Sequence, residues 1–232
     1  MNNIITKELQ DALREPKYKK FQARLTRSSL PMEGIRTDKL RIAAIKLAEE
    51  YPLSEFIGLK PSTVEELTVL GLIVAYKDID IEKKFEAIDY FLTVNDNWFT
   101  NDTVISTLKN KSENYFNYLM NMMHDGGWRS RYSITSLLWN FLDDEHLDAI
   151  FDGLFVIKYG DYYVDMAVAW FLSKAYLDYQ DKVEDFYETA PLNKLVLKTT
   201  VTKIRDIVGM PRDKKERMEE ILKDVLCKRE MY

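Results

Sequence analysis

Apolar residues recur along most of this chain at intervals of three and four, the spacing that gives a helix one inward stripe. Between residues 37 and 51 the stripe is Leu40, Ala44, Leu47, Ala48 and Tyr51, with Thr37 expected as N-cap and Pro52 as the stop. Ser62 is expected to cap the next helix, where Val64, Leu67, Val69, Leu70, Leu72, Ile73 and Val74 are apolar nearly all round, as in a helix buried between neighbours. Asp80 opens another, with Phe85, Ile88, Phe91 and Leu92 inward, and a further helix is expected to start near Asn97 or Trp98. Helices then follow over 112–124, 128–141, 145–157, about 162–179, 181–189, 194–208 and 212–228, with Asp125-Gly126-Gly127, Gly160 and Pro191 as breaks. Ahead of them, 6–13 reads as a short helix and 15–27 as a basic segment, helical or irregular, before a break over 28–35 at Pro31 and Gly34. No period-two run has turn signals at both ends, so no strand is predicted.

About a dozen helices taken in pairs give units of roughly 30 to 40 residues, which points to a HEAT-like helical-repeat solenoid spanning 1–232 as a single all-α domain. The repeat is structural rather than literal, so on pattern alone a compact non-repetitive bundle is the alternative. Composition narrows the class. With 46% hydrophobic and 31% charged residues, 8 Gly and 6 Pro, the chain reads as an ordinary soluble protein and not as an all-β sandwich. No apolar run approaches the ~20 residues that span a bilayer, and the first residues lack a secretory apolar core. A single cysteine, Cys227, excludes an internal disulfide, so a cytoplasmic setting is expected. With 33 Lys+Arg against 38 Asp+Glu, any basic surface must be local.

Chemistry concentrates first at Trp98 and Asp102, four residues apart and so on one face of a helix. An indole face and a carboxylate side by side attract positive charge; packing tryptophan and solvated acid is the plainer reading. Arg131 and Trp170 extend the pattern, because Trp98, Arg131 and Trp170 recur at intervals of 33 and 39 residues, near the repeat length. Equivalent positions on successive repeats line one face of a solenoid, so these residues are expected on one hollow wall. Lys109, Lys111, Arg129, Lys174, Lys198, Lys203 and Arg205 supply cations that could meet phosphate, or form a mixed solvated face. His124 and His146 lack ligand spacing, so no metal is expected, and no cofactor fingerprint is present.

The order and spacing of these residues resembles the HEAT-like-repeat alkylpurine DNA glycosylases, the AlkD-type DNA alkylation repair proteins. The resemblance rests on Gly34-Ile35-Arg36-Thr37, the stretch from Asp96 to Asp102 containing Trp98, Arg131 with Tyr132-Ser133-Ile134, the stretch from Tyr162 to Trp170, and Lys198 with Lys203. It implies a solenoid that cups duplex DNA and excises cationic bases such as 3-methyladenine and 7-methylguanine. In that pattern Asp102 is the catalytic carboxylate, Trp98 and Trp170 are aromatic walls, and Arg131 binds DNA beside them. A cationic purine leaves without a general acid, and a carboxylate against the sugar stabilises the oxocarbenium-like charge that develops. The expected partner is double-stranded DNA carrying alkylated bases, met by a monomer with no membrane and no metal. The segment 18–33 is shorter and differently patterned from the helix that enters the minor groove in active members. That departure, with the acidic balance, motivates a second reading: a homologue that binds nucleic acid or protein without chemistry.

Overall fold

The computed structural model describes residues 3–230, so Met1 and Asn2, which begin the stretch read as lacking a secretory core, lie outside it. Among the described residues there are thirteen α-helices, one short 3-10 turn and no strand, which bears out the all-α expectation. The helices are α1 Ile4–Glu8, α2 Pro16–Thr26, α3 Thr37–Glu50, α4 Val64–Tyr76, α5 Ile81–Val94, α6 Trp98–Thr107, α7 Glu113–Met122, α8 Gly127–Asn140, α9 Leu147–Val156, α10 Tyr162–Ala175, α11 Gln180–Thr189, α12 Lys194–Asp206 and α13 Arg212–Glu230. None of these is long and apolar enough to cross a membrane. The chain divides into two compact units inside α7, between Tyr115 and Phe116.

Unit 1 is built around α4. Every residue from Val64 to Ala75 is buried, as its all-round apolar sequence requires, and α3, α5, α6 and α1 pack against it. Gly71 allows that approach: a Cβ there would lie 2.5 Å from Val104 Cγ2 and 2.7 Å from Phe91 Cε2. A buried hydroxyl pair, Thr68 with Thr100 at 2.9 Å, ties α4 to α6.

Several helix starts differ from expectation, each for a local polar reason. The cap of α4 is Thr63, not Ser62: Thr63 accepts from the Glu66 N–H while the Glu66 carboxylate accepts from Ser62 N–H and Oγ, a reciprocal box that needs the acid three residues on. Thr37 is the first residue of α3 rather than its cap; Arg36 holds that place without a side-chain capping bond, and the Thr37 hydroxyl pairs with Tyr18. The first helix starts earlier, capped by Asn3, and stops at Glu8 because Arg14 takes up the carbonyls of Leu9, Gln10 and Ala12. The basic segment is helical as α2, begun by Pro16 in its first turn and ended by Arg27 in the left-handed region, φ 52°.

Unit 2 stacks helices in succession, α8 on α10 and α10 on α12, with α13 against α12. Its core includes Ile134, Leu137, Phe141, Ile150, Leu154, Val168, Phe171, Leu172, Val196, Leu197 and Ile204. The Asp125-Gly126-Gly127 break is real: both glycines have positive φ, and Gly127 opens α8 one residue before the expected start. The helix from Tyr162 ends at Ala175, not at Tyr179, and residues 176–179 form turns closed by the Tyr179 N–H on the Ala175 carbonyl at 2.8 Å.

Candidate functional site

In unit 1 the site begins at the turn between α5 and α6. Asn97 caps α6 by accepting from the Thr100 N–H at 2.9 Å, which fixes Trp98 as the first helical residue and sets Asp102 one turn further on the same face. Both side chains are half-buried. The Trp98 indole N–H donates to the Leu25 carbonyl of α2 at 3.0 Å, and Asp102 accepts from Asn101 Nδ2 at 3.2 Å.

Asp96 fastens the other side of that contact. Its carboxylate accepts from Ser28 Oγ at 2.7 Å, Ser29 N at 2.6 Å and Ser29 Oγ at 2.6 Å, with Asn97 Nδ2 at 3.0 Å. Burial alone raises its pKa, but the bonds from Ser29, Asn97 and Ser28 outweigh burial and hold the carboxyl below its usual value. At its other end α2 is pinned against Gly34, whose φ of +94° suits glycine. A Cβ at Gly34 would lie 2.7 Å from Lys19 Cβ and 2.8 Å from the Glu15 carbonyl, and that carbonyl's own residue donates its N–H to Gly34 O at 2.9 Å. The Gly34-Ile35-Arg36-Thr37 motif is therefore a cradle for α2, and the buried Glu65 carboxylate holds it by accepting from the N–H groups of Glu33, Gly34 and Ile35.

The strip α2 presents outward is basic. It contains no acid, and Lys17, Lys19, Lys20, Arg24 and the following Arg27 are exposed and make no ion pair among the described residues. Phe21 and Leu25 are exposed beside them. Lys109 and Lys111 are also exposed in this unit, on the connection between α6 and α7.

Arg131 and Trp170 fall in unit 2. Arg131 is only 5% exposed, and its Nη1 donates to the Tyr163 carbonyl at 3.0 Å, so it ties α8 to the start of α10 instead of projecting outward. Trp170 is half-buried on the outer stripe of α10, edge-on to Trp139 of α8 with ring centres 6.2 Å apart, and the Lys203 ammonium of α12 stands 5.8 Å from its ring centre. Lys174 is exposed one turn beyond Trp170. Of the other expected cations, Lys198 is exposed, Arg129 pairs with Asp125 at 2.7 Å and Arg205 with Glu219 at 3.2 Å.

Sequence reasoning missed three contributors. Asp96 looked like one more polar residue in a polar run. Trp139 and the tilted ring pair Trp128–Tyr163, with centres 4.5 Å apart, carried a signal that went unused: Trp128 and Trp139 are eleven residues apart, three helical turns, and so share a face of α8. Among the described residues no three His, Cys, Asp or Glu side chains gather as metal donors. Comparison of the chain with protein-family models, with curated proteins and with solved structures finds no match.

Proposed function

We propose that this chain is a DNA N-glycosylase of the HEAT-like alkylpurine type, a cytoplasmic monomeric solenoid that hydrolyses the N-glycosidic bond of cationic 3-methyladenine and 7-methylguanine in duplex DNA. The observation that carries the reading is the junction in unit 1: an indole and a carboxylate share one turn of α6, and the indole is bonded to an acid-free helix that carries four unpaired cations and is followed by a fifth, Arg27. Phosphate needs such a strip, and counterion release makes each contact favourable even on a chain of net charge −5. The successive stacking of α8, α10 and α12 supports the repeat architecture.

In this reading the bond from C1′ to the purine nitrogen breaks heterolytically. Its electron pair neutralises the already cationic base, so no acid is needed. The Asp102 carboxylate stabilises the oxocarbenium-like sugar, water adds at C1′ with loss of a proton, and free base and an abasic site result. The Trp98 ring walls the cationic nucleotide. The test is release of 7-methylguanine from methylated duplex DNA. Asp102→Asn is expected to cut release by about a hundredfold or more while duplex binding is kept; no release by the unaltered protein at any salt concentration refutes the chemistry.

One observation favours a second reading, a module that binds nucleic acid or protein without chemistry. The Arg131 guanidinium is buried and bonded to Tyr163. Duplex binding without base release would select this reading.

A further inference from the structure

The surroundings of Trp170 suit a ligand different from a cationic base. Trp139 and Trp170 meet at an interplanar angle of 85° with ring centres 6.2 Å apart, forming a right-angled corner of two indoles. Trp139 is 46% exposed although its neighbours Ile134 to Leu138 on α8 are buried. The Lys203 ammonium stands over the Trp170 ring, 5.8 Å from its centre. A ring face attracts cations, but this one already has an ammonium against it. A second cation entering there meets a like charge, whereas a neutral aromatic ring with a phosphate attached meets a stacking surface and a positive neighbour.

We infer that Trp139, Trp170 and Lys203 form a subsite on unit 2 for one unpaired, uncharged nucleobase, stacked on the exposed Trp139 face with its phosphate towards Lys203. The inference rests on the nucleic-acid reading above and adds a division of labour. Holding the cationic nucleotide falls to Trp98 and Asp102, while the Trp139–Trp170 corner takes a neutral base left without its partner. Trp139 is thus a binding residue outside the set that the family pattern marks, and Lys203 sets the preference for neutral over cationic rings.

The experiment uses the whole chain and lesion-free DNA, so it is independent of excision. Fluorescein-labelled duplexes, one fully paired and one with a single bulged thymine, are titrated and anisotropy is read. The bulged duplex is expected to bind more tightly. Trp139→Ala should erase about a tenfold advantage, the scale of one base–indole stack, and leave paired-duplex affinity unchanged. Trp139→Phe should restore most of it, which a merely structural role for the residue does not predict. Replacing the bulged thymine by 7-methylguanine should lower affinity, and Lys203→Gln should abolish that discrimination. Equal binding of the two duplexes, or equal losses for both in Trp139→Ala, overturns the inference and leaves the glycosylase reading standing. Binding to neither duplex overturns both, whereas base release by a protein that ignores the bulge overturns this inference alone.

Discussion

Glu65 is the residue on which the unit 1 site depends most while lying outside it, and its removal has a calculable effect. The side chain is 2% exposed, and its carboxylate accepts from the N–H groups of Glu33 at 3.0 Å, Gly34 at 2.6 Å and Ile35 at 3.3 Å. In Glu65→Ala these donors lose their acceptor, the last two of them fully buried. Each buried donor left unpaired costs about 1–3 kcal/mol, offset in part because a buried carboxylate no longer has to be desolvated. A net loss of about 3 kcal/mol is expected, with Glu65→Gln losing roughly half of it because the amide oxygen still accepts. The loss should be confined to unit 1. Trp98 is the only tryptophan before residue 116, so 5-fluorotryptophan labelling gives one 19F resonance for unit 1 and three for unit 2. In a urea titration the Trp98 resonance should reach its unfolded position at lower denaturant than in the unaltered protein, and before the other three. A loss under about 1 kcal/mol, or a shift of all four together, refutes the claim that this carboxylate organises the cradle for α2.

Two helix glycines should respond differently to alanine. Gly71→Ala drives a Cβ into Val104 and Phe91, both buried, and should cost about 1–3 kcal/mol. Gly153→Ala meets Met123 Sδ at 2.9 Å and Met120 Cε at 3.0 Å, flexible ends that can move aside. The helix-propensity gain of about 1 kcal/mol then leaves it near neutral, and chemical denaturation of both variants decides. Asp96→Asn should loosen the end of α2, read as faster trypsin cleavage after Arg24 and Arg27. Because the folded pKa of Asp96 is depressed, its contribution is complete above the usual carboxylate value, about pH 4, and is lost as pH falls through the lower folded value. The Trp98 19F resonance should therefore shift on acidification in the unaltered protein, and an Asp96→Asn variant showing the same shift sinks the assignment.

Where apolar periodicity decides structure, the chain was legible. The all-round apolar run at α4 predicted burial on every side, and each residue from Val64 to Ala75 is buried. Polar competition was harder to read. Ser62 and Thr63 are equal caps by residue type, and only the acid three residues on, with Glu65 committed elsewhere, selects Thr63. α2 escaped a firm reading because it buries Thr26 alone; hydrogen bonds to Asp96, Gly34 and Trp98 hold it, and none of these leaves a period in sequence. At the candidate site the spacing of Trp98 and Asp102 was readable, but the direction of Arg131 was not. The small polar residues around it, Ser130, Ser133, Thr135 and Ser136, are all buried, so a stretch that looks solvated faces inward.

Of the six buried side-chain atoms left without a hydrogen-bond partner among the described residues, four gather at the same junction in unit 1, while Ser136 Oγ and Thr200 Oγ1 lie in unit 2. Thr26 Oγ1, both polar atoms of the Asn95 side chain and Asn101 Oδ1 are buried without a protein hydrogen-bond partner. They lie at the end of α2, in the turn before α6, and beside Asp102. An apolar group of similar shape at any of these positions would avoid a desolvation penalty of about 1–3 kcal/mol, so folding alone does not call for them. Sequences that satisfy their local rules elsewhere depart from them where a site needs polarity or room to rearrange. The same junction carries the basic strip, the bonded indole and the half-buried carboxylate. If stability is given up there for function, replacing Asn95 by leucine should raise the urea midpoint of unit 1 while weakening duplex binding. A variant that gains stability and loses no binding would mean that the polarity of this turn serves nothing in the contact between α2 and α6.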